Sequence, residues 1–334
     1  MTDAANTDSG ILAAADGGRV SVAHREEDRI SEVVPVQLCG HIEASMDLSG
    51  AVVVNDFLVL GADEGHRVQV LKWRGEEACW GPVHSFPLAK LDQETDIEAL
   101  TYGDGYLYVI GSHSHRRRRL KPELSVRRNR ERLLQIQKQP SRSRLFRLAF
   151  DSKSGAIGDA DSVDLNKRIR KDPLLKPFFG LPGKENGIDI EGMGFAGGKL
   201  YIGFRGPVLR DNYVPVMVLD YARTKAYNLL FVRLDGQGIR DLVALDDGFL
   251  ILSGPVNDAP GPFHLWWWDG RDQVPGKDAT IEPALLLGAV TTRGGAKAEG
   301  LALLGEDDGT ADILVVYETS TATQAVSMRV DLRR

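Results

Sequence analysis

Cysteine is scarce in this chain. The 334 residues hold two, Cys39 and Cys79, far apart and in no CxxC spacing. That pattern argues against a disulfide framework or a cysteine zinc site, and it fits a reducing compartment. Long apolar runs are also missing. None approaches the ~20 residues that a membrane-spanning helix needs, so no membrane is expected as a partner. The opening "MTDAANTDSGILAAADGGRV" has neither a basic start nor a continuous apolar core. No secretory signal is therefore expected, and a cytoplasmic bacterial protein is the default expectation. P-loop, dinucleotide-binding and HExxH motifs do not occur, which leaves nucleotide-fold and zincin chemistries without support. A large excess of positive charge is absent too. The formal net charge is −6, so the molecule as a whole is not built to coat nucleic acid.

What is present is ordinary globular composition, 43% apolar and 26% charged. Residues 1–25 read as a flexible tail and residues 26–334 as one domain. Along that domain a pattern recurs: "HIEASMDLSGAVVVNDFLVLGADEG", "DIEALTYGDGYLYVIGSHS", "DIEGMGFAGGKLYIGFRG", "IRDLVALDDGFLILSGPV" and "KAEGLALLGEDDGTADILVVYETS". Aligned on their acids, the copies place Glu43, Glu98, Glu191, Asp241 and Glu299 in register. Each acid is followed by a short apolar strand, a Gly/Asp turn and an alternating strand. Third strands follow in "HRVQVLKW", "SRLFRLAF", "VPVMVLDY", "FHLWWWDG" and "AVSMRVDL". Such runs between turn clusters are the β signal. Four antiparallel strands repeated every 50 residues or so describe a β-propeller blade.

The chain is thus expected to be all-β, a five-bladed propeller with six blades as the alternative. The fifth copy lacks a fourth strand, and "RISEVVPVQL" (residues 29–38) precedes the first copy. Pairing the two would close the ring and remove an exposed edge.

In a propeller the first strands line the central channel. The five acids therefore share one mouth with the loops after second strands. Like charges gathered there need protons, cations or hydrogen bonds. Three resolutions stay open: backbone-accepting acids that pin the ring, a hard metal ion such as Ca²⁺, or acid–base catalysis. Arg240 and Lys297 stand ready to neutralise two blades. Glu43, Glu98, Glu191, Asp96 and Asp189 are the candidate metal ligands. Glu98, Glu191 and His113 are the candidate catalytic residues. His113 and His115 flank Ser114, although a GxSxG elbow is missing. "WWW" (266–268) reads as a third strand with rings between blades.

Blade 2 carries an extra segment, residues 113–144, with the run Arg116–Arg119 and a helix expected from Pro122 to Gln139. It reads as a basic arm over the acidic mouth. Arg116 and Arg117, with Arg205 and Arg210, are the candidate binders of an anionic group. Nucleic acid is disfavoured because no aromatics accompany the arginines.

"DIEALTYGDGYLYVIGSHS", "ENGIDIEGMGF", "RGPVLR", "IRDL" and "AEGL" together resemble the bacterial domain-of-unknown-function 3616 family, from about residue 40 onward. The resemblance implies a propeller-like fold and no particular activity. The D-x-E-G-L phrasing is also similar to esterase-like, phytase-related propellers. It implies acids near a metal or phosphate, at Asp96, Glu98, Asp189 and Glu191. The functional expectation is a Ca²⁺-assisted hydrolase of esters or phosphoesters, or a binding protein for a small anion. The rival is a non-enzymatic scaffold holding a partner protein.

Overall fold

A computed structural model of the protein describes residues 29–88, 94–292, 295–319 and 324–334. The expected tail, residues 1–25, lies outside them. Five four-stranded antiparallel sheets follow one another along the chain. Blade 1 holds Leu48–Val54, Phe57–Ala62, Arg67–Arg74 and Cys79–Pro87. Blade 2 holds Ile97–Gly103, Tyr106–Gly111, Leu145–Phe150 and Ile157–Val163. Blade 3 holds Asp189–Ala196, Lys199–Gly206, Tyr213–Leu219 and Tyr227–Arg233. Blade 4 holds Gly238–Leu245, Gly248–Gly254, Phe263–Trp268 and Leu285–Val290. Blade 5 takes Lys297–Asp307, Thr310–Glu318 and Ala325–Asp331, and its fourth strand is Ile30–Pro35. That last pairing (Ile30 opposite Val330, Pro35 opposite Val326) joins the two ends of the chain as expected.

The Gly/Asp turns have a stereochemical cause. Asp104–Gly105 and Asp308–Gly309 each place two consecutive residues at positive φ. That is the two-residue hairpin turn whose twist matches the flanking strands.

The first strands contact one another around the axis and are innermost. Five apolar clusters hold the ring together, one at each blade-to-blade interface. The aromatic triplet shows the strand period at work. Trp267 packs between blades 4 and 5, while Trp266 and Trp268 pack between blades 3 and 4. All three are buried, and each indole N–H donates to an oxygen at 2.8 Å. They are core, not a platform for a ligand.

Two expectations are corrected. Cys39 and Cys79 form a disulfide. Separation along the chain hides the reason. The linker after the closing strand lies along blade 1, with Cys39 N–H donating to Trp80 O and Trp80 N–H to Gln37 O, both at 2.9 Å. This sets the two Cα atoms 5.9 Å apart, within bridging range.

The second correction concerns the insertion. Its helix spans only Val126–Leu133, not Pro122–Gln139. Ser125 caps it, its hydroxyl accepting Arg128 N–H at 3.3 Å. Ile136–Lys138 instead pairs as a strand with His115–Arg117. The insertion is a hairpin arm with a helix at its tip. Among the described residues no helix is long and apolar enough to cross a membrane.

Candidate functional site

The channel mouth is built by one irregularity repeated five times. Near its start each innermost strand skips a residue in the ladder. The skipped residues are Ser49, Glu98, Glu191, Arg240 and Glu299. A β-bulge re-aims a side chain, and all five of these residues line one cavity of about 1070 Å³. The preceding residue is buried and apolar in every blade: Leu48, Ile97, Ile190, Ile239 and Ala298. The following residue is Gly50, Ala99, Gly192, Asp241 or Gly300. Neighbouring blades approach closely there. A Cβ on Gly192 would lie 2.8 Å from Ile239 Cγ2, and one on Gly300 would lie 2.8 Å from Ser49 O.

This register corrects two of the five aligned acids. Glu43 stands outside the ring and does not line the cavity. It lies 3.4 Å from the Arg67 guanidinium, and its N–H donates to Gln69 Oε1. The true counterpart of Asp96-Ile97-Glu98 in blade 1 is Asp47-Leu48-Ser49. In blade 4 it is Gly238-Ile239-Arg240, so Asp241 is one residue past the bulge. Asp241 performs the ring-pinning role alone. It is buried, and its carboxylate accepts Leu242 N–H and, from blade 5, Leu301 N–H, both at 2.7 Å. Burial pushes its pKa well up, and these backbone donors with that of Met193 pull it back.

The cavity carboxylates fall into two groups. In the first group each has a cation. Arg205 pairs with Asp189 and, at 2.6 Å, with Glu191. Arg240 reaches Glu191 at 3.1 Å and Glu299 at 2.6 Å. Arg142 holds Asp96 at 2.8 Å and also Glu94, and Lys297 holds Glu318 at 2.6 Å. In the second group Asp47, Asp63, Glu64 and Glu98 have no ion-pair partner among the described residues. Burial raises Glu98 well above the ordinary glutamate value, and Asp96, Glu191, Asp189 and Asp63 add to the rise. Asp63 is pushed up to about 7 by burial, then by Asp96, Glu318 and Asp47. Its Oδ1 is buried with no hydrogen-bond partner. Burial raises Glu191 too, but Arg205 and Arg240 oppose that rise.

The other predicted residues separate as follows. Arg116 and Arg117 line the cavity, and Arg117 is engaged with Glu185 at 2.7 Å. Arg205 lines it as an internal counter-ion. Arg210 does not line it and projects into solvent. His113 is buried away from the cavity, with Nδ1 2.8 Å from Gly111 O. Burial pushes its pKa down to about 4, so it is neutral and remote from any ligand in the mouth. Ser114 and His115 line the cavity without it.

The five candidate metal ligands do not form one cage. Glu43 is elsewhere, Asp189 and Glu191 face Arg205, and Asp96 faces Arg142. Among the described residues the one set of three ligand atoms within 4.8 Å of each other is Cys39, Glu77 and Cys79, whose sulfurs are bonded together. The mouth therefore does not fit a preformed Ca²⁺ site of carboxylates. Sequence reasoning missed Arg142 and Asp47. Asp47 was visible as the first residue of "DLS", a match to "DIE" obscured by the loss of the acid at position 49.

The fold and site define a closed five-bladed β-propeller with a charged pocket at one channel mouth. The family model described as Protein of unknown function (DUF3616) matches residues 47–330, and the chain belongs to that family. No curated protein matches the chain.

Proposed function

We propose that the channel mouth is the active site of a hydrolase acting on a small anionic ester or phosphoester. The observation that carries this reading is the asymmetry between Glu98 and Glu191. Two carboxyl groups project from neighbouring blades into one cavity, and their surroundings differ in sign. Glu98 has acids around it and no ion-pair partner among the described residues, and burial with those acids favours its protonated form. Glu191 has two guanidinium groups, which favour its ionised form. Groups whose environments push them apart in this way serve as acid and base. Glu98 would protonate the leaving oxygen, and Glu191 would accept a proton from the attacking water. The anionic end of the substrate would meet Arg116, Arg118 and Arg119 on the arm, all on the cavity wall.

The reading needs no metal, because the carboxylates do not converge on a common point. The Cys39–Cys79 disulfide supports an oxidising compartment rather than the cytoplasm expected from the sequence.

The test is hydrolysis of a panel of p-nitrophenyl esters and phosphoesters by the wild type and by Glu98→Gln, with EDTA and with added Ca²⁺. A positioned general acid contributes about 10²–10⁴-fold. Glu98→Gln should therefore lose at least about a hundredfold in kcat while EDTA has no effect. Full activity in Glu98→Gln, or no turnover of any member of the panel, defeats the assignment.

A further inference from the structure

The arm over the mouth joins two surface properties. Between Arg116 and Lys138 it carries ten Lys or Arg against two Glu. Arg117, Lys121 and Arg127 have carboxylate partners. Arg116, Arg119, Arg128 and Arg130 have none among the described residues. In the same short stretch Val126 is 72% and Leu134 84% exposed, and Leu120, Leu133 and Ile136 are exposed as well. Val126, Leu133 and Leu134 lie seven and eight residues apart on the short helix and its cap. They line one shallow groove with Arg127, Arg130 and Glu131, the last paired with Arg127.

The exposure is built in rather than a result of looseness. Asn129 and Lys121 exchange two hydrogen bonds, at 2.8 and 3.1 Å. Arg132 Nε donates to Arg119 O at 2.7 Å, and Arg117 ties the arm to Glu185. Val126 and Leu134 are thereby held outward in solvent, while Leu120 and Leu133 also edge the cavity.

We infer that this arm docks the protein on an anionic lipid surface. Leucines among unpaired arginines match both parts of such a surface: the apolar side chains enter the headgroup boundary, and the cations meet anionic headgroups. A nucleic acid would engage the arginines and leave the leucines in water. Residues 113–144 contain no Phe, Trp or Tyr for base stacking. No crossing helix is required, so the sequence expectation of no membrane partner, which rested on spans alone, does not bear on it. Arg118 and Arg119 line the cavity from the same arm. Docking therefore turns the mouth toward the bilayer.

The experiment is sedimentation of the full-length protein with vesicles of phosphatidylcholine alone and with phosphatidylglycerol added. It makes no use of hydrolytic activity, so it stands or falls apart from the proposed reaction. Binding should strengthen at least about tenfold with phosphatidylglycerol, each unpaired cation being worth roughly fivefold near the surface. Salt well above about 150 mM should weaken it. Val126→Glu with Leu134→Glu should cost roughly ten- to a hundredfold. Both side chains are exposed, so the melting temperature should not move. Three results each overturn the inference: no preference for the anionic vesicles, unchanged binding by the double variant, or equal affinity for a DNA duplex at the same salt.

Discussion

Arg205 is the residue whose removal tests the electrostatics of the mouth most directly. Its guanidinium is buried and pairs with two buried carboxylates, Asp189 and Glu191. Arg205→Met keeps the stem and deletes the charge. Removing one partner of a buried pair leaves the other uncompensated, at a cost of about 3–5 kcal/mol. With an unfolding entropy of about 2.1 cal/mol/K per residue over roughly 300 residues, this lowers Tm by about 5–8 °C. The loss has a definite pH dependence. Burial already raises Asp189 and Glu191 above their ordinary values, and Arg205 opposes the rise. Without it both rise further, so the native state binds more protons than the unfolded chain. Stability then falls as pH rises through the raised values. The deficit should therefore be larger at pH 8 than at pH 5. Calorimetry of both proteins across this range measures it. Adding Asp189→Asn and Glu191→Gln to Arg205→Met should recover part of the loss. A Tm within about 1 °C of wild type at pH 8, or a deficit that grows toward acid, would refute the reasoning.

Glu98 gives a second pH signature. Its raised folded value means the stability from its bound proton is present at acid pH and lost as pH climbs. Glu98→Gln should match wild type at pH 4 and exceed it at pH 8, by about 1–3 kcal/mol for a half-buried charge without an ion-pair partner; thermal melts at the two pH values check it. The disulfide closes a separation of 40 residues. Cys39→Ser, or reductant on the wild type, should cost about 2–4 kcal/mol in a denaturant titration, whereas no response to reductant would mean that the bridge does not constrain the unfolded chain. Gly192→Ala sets a Cβ 2.8 Å from Ile239 Cγ2 and 3.2 Å from Asp241 Cα. Overpacking at the axis should cost about 1–3 kcal/mol, read as a shift in urea midpoint.

Much of the site was readable along the chain because turns and alternating strands are local. "DIE" and "KAE" placed Glu98, Glu191 and Glu299 on the channel. Arg240 and Lys297 were expected to neutralise the acids that follow them, but Arg240 pairs with Glu191 and Glu299 and Lys297 with Glu318. Glu43 and Asp241 were misplaced because the alignment followed acids, whereas the fold aligns bulges. A bulge is a property of two paired strands, and one strand's residues do not reveal which position is skipped. His113 was misjudged for a similar reason. Its place beside Ser114 in sequence says nothing about which side of the sheet its ring enters.

The chain alone determined the number of blades, their order and the closing partner of the last one. Those depend on short-range periodicity and on the rule that no edge stays unpaired. Tertiary structure decided which carboxylates crowd together without an ion-pair partner and which meet a guanidinium. It also decided that two cysteines meet and that Val126 and Leu134 of the arm face water. Each of these depends on distances between segments remote along the backbone, where Coulomb energy and burial act through space and leave no mark on the local pattern.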